Sequence, residues 1–161
     1  AANVIVTGTD EDALRLEVAR EVGADHVVDV TVNDPVEVVM DLTGGFGASV
    51  AVDLASTPVT PSLCFDLVHH RGTVIWAGLK DRQAVPVVTD KAVMKGLRVM
   101  GGAGGDAGSV DEAARILNEG GFPTAPLLGT VVGLDEVDRA MALLHRSGDE
   151  EAVRAVLKHS H

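Results

Sequence analysis

Short apolar runs alternate with segments of helical periodicity along the chain, and this alternation limits the fold more than any other feature. The runs are continuously apolar rather than alternating, as strands are when both faces of a sheet are covered. The predicted strands are Asn3–Thr7, His26–Val30, Val50–Leu54, Gly72–Ala77, Leu97–Met100, Leu127–Val132 and a final run at Ala152–Leu157. Strands that alternate with helices form βαβ units, so the sequence predicts an α/β fold with a mainly parallel sheet.

Capping signals and apolar faces mark the helices between these strands. Asp34 is predicted to cap a helix over Pro35–Leu42. Ser109 and Glu112 have the spacing of a capping box, which predicts that Ser109 begins a helix ending near Asn118. The other helices are predicted from the apolar faces Leu14, Val18 and Val22 before Gly23; Leu63, Leu67 and Val68; and Val137, Met141 and Leu144. The cations predicted to complement the C-terminal dipole of the helix before the fourth strand are His69, His70 and Arg71.

Length, charge and hydropathy exclude several classes of protein. The 161 residues fit one domain, in which Arg146–Glu151 is predicted as a polar linker and residues 146–161 as linker plus return strand. The net charge of −11 at pH 7 opposes a phosphate backbone, so nucleic acid is excluded as a partner. No apolar run approaches the ~20 residues of a membrane span, and no basic-then-apolar signal opens the chain. We therefore expect a cytoplasmic protein with no membrane partner.

Cysteine and histidine usage gives no sign of a metal site. Cys64 is the only cysteine, so it cannot form an intramolecular disulfide or a cysteine-rich zinc site. We predict that it is a small buried apolar residue. The histidines near the C-terminus, His145, His159 and His161, lack ligand spacing with any carboxylate. The chain is therefore expected to bind no zinc.

Seven stretches of the sequence share their order and spacing with one family of enzymes. They are Val4–Thr7 (VIVT), Arg20–Asp29 (REVGADHVVD), Leu42–Ala48 (LTGGFGA), Val52–Ser56 (VDLAS), Gly72–Leu79 (GTVIWAGL), Thr89–Lys95 (TDKAVMK) and Leu134–Ala140 (LDEVDRA). Together they resemble the coenzyme-binding part of medium-chain, zinc-type alcohol, sorbitol and threonine dehydrogenases. The resemblance implies a Rossmann-like, doubly wound fold, with residues 1–145 as a truncated nucleotide-binding domain. It also implies binding of nicotinamide dinucleotide for hydride transfer between an alcohol and nicotinamide.

The sequence departs from the family pattern at its start. In the family, a strand, a Gly-x-Gly-x-x-Gly turn and a helix precede the segment that begins here at Asn3, and that turn binds the pyrophosphate. We therefore expect the first strand, the first helix and the N-terminal catalytic domain with its zinc ligands to be absent. The chain alone is expected to be inactive. The alternative is a non-catalytic Rossmann-like fragment, or a dimerisation module, without cofactor affinity.

The resemblance implies a ribose-binding carboxylate after the first predicted strand. Counting back from Gly23 aligns Asp10 with that position, whereas counting forward from the strand aligns Gly8. Asp10 is alternatively a helix cap. NAD is the implied cofactor, because the Thr9–Asp12 segment offers carboxylates where a 2′-phosphate needs a cation. Arg15, one turn further on, keeps NADP as the alternative.

The resemblance also implies coenzyme contacts after three later strands, since ligands of open α/β sheets lie at the carboxyl ends of strands. The segment implied to flank the adenosine is Leu54, Ala55 and Ser56. The residues implied to meet the nicotinamide through backbone atoms are Ala77, Gly78, Leu79, Gly101, Gly102 and Ala103. The Gly102–Gly108 segment reads as a rival phosphate-binding turn, although its last interval is one residue too long. Trp76 is predicted to lie in the core or at an interface.

Unpaired strand edges predict an assembly. In the family, two coenzyme domains pair through the strand that matches Leu97–Met100, and Val85–Val88 precedes it here. An exposed apolar edge is a template for pairing, so we predict a homodimer through this sheet edge. The alternative is that Pro86 and Lys95 protect the edge. Without the family's first strand, the strand at Asn3 is expected to meet the strand at Val50, or to recruit a second chain.

Overall fold

A computed structural model describes residues 3–145 and 152–159 of the chain. Its contacts divide the chain into two compact units, each described separately below. The terminal unit comprises Ala1–Val32 and Asp106–His161, and the central unit comprises Asn33–Gly105. The predicted linker Arg146–Glu151 lies outside the described residues.

Parallel strands alternate with helices along most of the described residues, as predicted, with two consecutive α-helices only between the fifth and sixth strands. The strands are β1 (Ile5–Gly8), β2 (His26–Asp29), β3 (Ala48–Asp53), β4 (Val68–Trp76), β5 (Arg98–Gly101), β6 (Thr130–Gly133) and β7 (Ala155–Lys158). The α-helices are α1 (Ala13–Glu21), α2 (Pro35–Leu42), α3 (Thr60–Leu67), α4 (Thr89–Lys95), α5 (Ala107–Asn118), α6 (Ala125–Leu128) and α7 (Val137–His145). Two 3-10 turns lie at Asp10–Asp12 and Leu134–Glu136. The parallel pairings follow the orders β1-β2, β3-β4-β5 and β6-β7.

The central unit has an aliphatic core with one phenylalanine under its three-stranded sheet. Its buried residues are Ala51, Cys64, Phe65, Val68 and Val74, with Trp76, Val87, Ala92 and Leu97 packed around them. Burial of the Cys64 side chain confirms the prediction for that residue. The face of α3 that packs inward carries Pro61, Cys64 and Phe65 rather than Leu63 and Leu67, which are only half-buried. Removing a buried aromatic ring such as Phe65 would cost about 3–5 kcal/mol.

The prediction that His69, His70 and Arg71 complement the end of α3 is wrong. The helix ends at Leu67, and those three residues belong to β4. The ammonium of Lys95 in α4 instead donates to the carbonyl oxygens of Phe65 at 2.7 Å and Val68 at 2.8 Å. A cation distant in sequence therefore satisfies carbonyls at the C-terminus of α3.

The terminal unit contains two separate two-stranded parallel sheets. α1 buries Leu16 and Val18 beside β1 and β2, and α7 buries Ala140 and Leu143 beside β6 and β7. The predicted face of α7 is therefore wrong. Its members, Val137, Met141 and Leu144, are all exposed.

Two further predictions about strands need correction. The sixth predicted strand began at Leu127, but Ala125–Leu128 forms α6 and β6 begins only at Thr130. The expected pairing of the strand at Asn3 with the strand at Val50 is not present among the described residues, where β1 pairs with β2, and β3 pairs with β4. Among the described residues, β1 and β3 each keep one unpaired edge.

Candidate functional site

The carboxyl ends of β3, β4 and β5 lie side by side in the central unit. The strand register pairs Asp53 with Trp76 and Trp76 with Gly101, so the residues that follow each strand emerge at one edge of the sheet. The pattern of backbone hydrogen bonds continues past the strands, because the Ala77 and Gly78 amides donate to the Asp53 carbonyl at 2.9 and 2.8 Å. The Gly102 amide likewise donates to the Trp76 carbonyl at 2.9 Å.

This arrangement brings together the coenzyme segments implied to follow β3, β4 and β5. They are Leu54, Ala55 and Ser56; Ala77, Gly78 and Leu79; and Gly101 with Gly102. The first segment is exposed, with Leu54 75% and Leu79 of the second segment 80% accessible to solvent. A side chain added at Gly101 would meet no atom within 4 Å of its Cβ. Open space therefore lies beside the Gly101 backbone, on the side that a Cβ would occupy.

Gly78 allows the segments after β3 and β4 to approach closely. A Cβ at Gly78 would overlap the carbonyl oxygen of Ala55, so no larger residue fits without moving the backbone. We call Asp53–Ser56 together with Ala77–Lys80 the β3–β4 edge.

A buried ion pair lies inside the β3–β4 edge. Asp53 is only 3% exposed, and its carboxylate accepts from the Lys80 ammonium at 2.9 Å. It also accepts from the Thr60 hydroxyl at 2.8 Å and the Ala55 amide at 3.1 Å. The Lys80 ammonium donates in addition to the Ala55 carbonyl. These donors offset the cost of burying the charge.

Sequence reasoning missed both members of this pair. Asp53 ends an otherwise apolar strand, and a carboxylate in that place is a signal of a partner. Nothing near Lys80 in the sequence identifies it as that partner, because 27 positions separate the two residues.

Cys64 carries a buried thiol in the central unit. Burial raises the pKa of Cys64 to about 11, and the negative charge of Asp53 adds to the rise. The thiolate is the form that attacks electrophiles and binds metals. Cys64 is therefore a poor nucleophile at neutral pH.

The segment Thr9–Asp12, which we call the β1 loop, follows β1 in the terminal unit. Asp12 makes the capping contacts of this loop, because its carboxylate accepts from the Thr9 amide at 3.1 Å and from the Thr9 hydroxyl at 3.0 Å. Asp12 also pairs with Arg15 at 3.3 Å. Asp10 is exposed and accepts from the adjacent Glu11 amide at 3.1 Å.

Gly8 and Asp10 are the two residues aligned with the family's ribose-binding carboxylate, and their surroundings in the structure differ. A Cβ at Gly8 would lie 3.0 Å from Asp12 Cβ and 3.2 Å from Leu16 Cδ2, so the glycine serves the packing of this loop. Gly8 offers no side chain to a ribose. Asp10 offers an exposed carboxylate, while Asp12 does the capping that was the alternative role for Asp10.

The rival glycine-rich turn leads into the N-terminus of α5, which already has an acidic cap. Asp106, rather than the predicted Ser109, is the cap, and its carboxylate accepts from the Ser109 amide and hydroxyl, both at 2.8 Å. The backbone hydrogen bond from Ser109 lowers the pKa of Asp106. A second anion at this helix terminus would meet a fixed negative charge, so the turn does not fit a phosphate.

The described residues offer no constellation for a metal ion. In residues 3–145 and 152–159, no three His, Cys, Asp or Glu side chains gather closely enough to hold one. A zinc ion therefore does not fit the donors of the described part of the chain. None of the helices there combines the length and hydropathy needed to cross a bilayer.

Comparison with known proteins identifies the family. Residues 1–119 match the family model described as zinc-binding dehydrogenase. The chain belongs to the zinc-binding dehydrogenase family. It is 36% identical over 157 residues to a probable alcohol dehydrogenase of Mycobacterium tuberculosis, covering 95% of this chain and 42% of that protein. It is 28% identical to the sorbitol dehydrogenase of Halalkalibacterium halodurans, covering 96% of this chain and 44% of that protein.

Solved structures of this dehydrogenase family share the fold. An alcohol dehydrogenase zinc-binding domain protein from Burkholderia ambifaria superposes with a TM-score of 0.85 at 22% identity, over all of this chain and 43% of that one. These matches confirm the Rossmann-like α/β fold and the predicted resemblance to the coenzyme-binding domain of zinc-type alcohol dehydrogenases. The chain spans less than half the length of the relatives it matches.

Proposed function

We propose that this chain is the coenzyme-binding portion of an NAD(P)-dependent, zinc-type alcohol dehydrogenase. The observation that carries the proposal is the meeting of three open backbone segments at the carboxyl ends of β3, β4 and β5. A bound nicotinamide dinucleotide supplies the chemistry of hydride exchange with an alcohol. The residues of this chain bind and orient that coenzyme. In residues 3–145 and 152–159, no three His, Cys, Asp or Glu side chains gather to hold the family's zinc ion.

The segments take different parts of the coenzyme in this proposal. Leu54–Ser56 flanks the adenosine, and Ala77–Leu79 with Gly101 and Gly102 meets the nicotinamide through backbone groups. In the terminal unit, Asp10 accepts hydrogen bonds from the ribose hydroxyls, since an ionised carboxylate has only acceptors to offer.

The β1 loop favours NAD over NADP. It carries three carboxylates, Asp10, Glu11 and Asp12, where a 2′-phosphate would need a cation. Arg15 was the residue that kept NADP as the alternative, and it is paired with Asp12. Titration with NADH and NADPH tests the preference: NADH should bind more tightly, and equal or tighter binding of NADPH would contradict it.

A blocking substitution tests coenzyme binding itself. Gly101→Val adds a side chain where the fold leaves open space, so it should fold normally yet occupy the approach of the coenzyme. NADH fluorescence should show binding by the unchanged chain and about tenfold weaker binding by Gly101→Val. Gly121→Val is the matched control, because Gly121 also has open space but lies in the terminal unit. No binding by the unchanged chain, or equal binding by Gly101→Val, would contradict the proposal.

The exposed edge of β5 supports a second proposal, the homodimer. All four residues of β5 are exposed, and within the described residues β5 pairs only with β4. Val93 and Met94 in the preceding helix are 76% and 78% exposed. The charge of Lys95 does not protect this edge from pairing, because its ammonium donates to carbonyl oxygens at the end of α3.

Sedimentation equilibrium at micromolar concentration tests the dimer. The unchanged chain should sediment at twice the monomer mass, and Val99→Lys, which places a charge on the edge strand, should sediment as a monomer. A single monomeric species of the unchanged chain would contradict the proposal. A dimer that binds no NADH would instead support the alternative of a dimerisation module.

A further inference from the structure

The β3–β4 edge is not positioned by apolar burial. Leu54 and Leu79, its two large apolar side chains, are among the most exposed in the described chain. The backbone around them therefore needs other contacts to keep one conformation. Those contacts are polar, and Asp53 takes part in most of them.

The Asp53–Lys80 pair connects the two segments of the edge directly. The Lys80 ammonium contacts the Asp53 carboxylate and the Ala55 carbonyl, both on the β3 side. The Asp53 carbonyl in turn accepts from the amides of Ala77 and Gly78, on the β4 side. The side chain of Lys80 is 13% exposed and that of Asp53 is fully covered, so water screens the pair weakly.

Net stability is a weak reason for such a pair. Removing two charges from water costs nearly as much as their attraction returns, so a packed apolar pair would stabilise a fold equally well. An ion pair with fixed hydrogen-bond directions specifies geometry more strictly than apolar contact does. The geometry that it specifies here is the spacing between the Ala55 and Gly78 backbones.

We propose that Asp53 and Lys80 are positioning residues for the coenzyme, holding the adenosine-flanking segment and the nicotinamide-facing segment at the spacing that one dinucleotide requires. The inference rests on the proposed function. The pair acts through the backbone of residues 54–56 and 77–79. Breaking the pair is therefore expected to weaken coenzyme binding more than a comparable loss of fold stability elsewhere in the central unit does.

Binding and unfolding measured on the same variants test this role. Lys80→Met should weaken NADH binding by about tenfold or more, because small displacements of binding groups are costly. Lys80→Arg, which keeps the charge and the donors, should recover most of the affinity. Energy transfer from Trp76, the only tryptophan, to bound NADH reports binding from the end of β4.

Two controls separate positioning from general loosening. Lys91→Met removes a partly exposed pair with Asp66 at 2.7 Å in the same unit and should leave NADH affinity unchanged. Val74→Ala makes a cavity at a fully buried site without touching the pair, so it should lower the unfolding midpoint while affecting NADH affinity less than Lys80→Met. If Lys80→Met does not fold, Lys80→Gln, which keeps a donor without the charge, takes its place.

Each outcome has a distinct meaning. Unchanged NADH affinity in Lys80→Met, or an equal loss in Val74→Ala, overturns the positioning role and leaves the proposed function standing. Absence of NADH binding by the unchanged chain overturns the proposed function and this inference together. A selective loss in Lys80→Met, with recovery in Lys80→Arg, supports both.

Discussion

The β3–β4 edge is held by contacts between residues far apart in the sequence, whereas the β1 loop is held by contacts within a few residues. Asp53 and Lys80 are separated by 27 positions, and Lys80 reaches Ala55 across 25. In the β1 loop, Asp12 contacts Thr9 and Arg15, each three positions away. The first arrangement exists only in the folded chain, and the second can form as soon as the helix starts.

The two regions also differ in how far their ion pairs are buried. The Asp53 carboxylate is covered by its partners, while Asp12 and Arg15 remain about a third exposed. Because water screens exposed charges, an ion pair in the β1 loop contributes little free energy. We therefore expect substitutions at the two regions to differ in their effect on the free energy of unfolding, and the following predictions test that difference.

The largest effect is expected for Asp53→Ala. The substitution leaves the Lys80 ammonium covered without its counter-charge and removes one of the two acceptors of the Thr60 hydroxyl. Breaking a buried pair from one side costs about 3–5 kcal/mol, so urea unfolding should show a loss of this size or no folded state. Asp66→Ala, which breaks the partly exposed pair with Lys91, should cost less than about 1 kcal/mol. Equal losses would show that burial does not distinguish the two pairs.

An intermediate effect is expected for Cys64 at alkaline pH. The raised pKa of its thiol means that folding favours the protonated form, so the stability it contributes is complete below pH 9 and is lost as the pH rises through about 11. The full loss is about 3 kcal/mol. Unfolding midpoints of the unchanged chain and of Cys64→Ala, compared from pH 8 to 11.5, should converge at high pH. A constant difference would show that the thiol is solvated in the fold.

Local signals predicted local structure well. The bounds of α2, Pro35–Leu42, and its Asp34 cap agree with the structure, because the carboxylate, the proline and the first amide lie within three positions. The cap of α5 was misplaced from Asp106 to Ser109, since both residue types suit that role and only the fold distinguishes them.

Signals that depend on tertiary contacts were harder to interpret. The spacing of Met141 and Leu144 predicted the apolar side of α7, but the strands against which it packs cover Ala140 and Leu143 instead. The segments after β3, β4 and β5 were implied by resemblance, and their meeting depends on strand order. Nothing local to Asp53 or Lys80 could reveal their pairing.

A smaller effect is expected for Asp12→Ala in the β1 loop. The change removes the acceptor of the Thr9 amide and hydroxyl and releases Arg15. Loss of a capping side chain costs about 1 kcal/mol, and the exposed ion pair adds little. Thermal unfolding measures the loss. A value as large as that of Asp53→Ala would mean that the loop is more strongly coupled to the rest of the terminal unit than its local contacts suggest.

The smallest effect on stability is expected for Asp10→Ala, two positions away. Its exposed carboxylate accepts from the adjacent Glu11 amide, a contact of little structural consequence, so the free energy of unfolding should change by no more than about 0.5 kcal/mol. NADH affinity should nevertheless fall, because the ribose hydroxyls lose their acceptor. Asp12→Ala is the comparison for stability, because it removes the contacts that hold the loop and leaves the Asp10 carboxylate in place. If Asp10→Ala destabilises the chain as much as Asp12→Ala, Asp10 belongs to the cap. If NADH affinity is unchanged, the carboxylate that serves the ribose is not Asp10, and the alignment counted back from Gly23 is wrong.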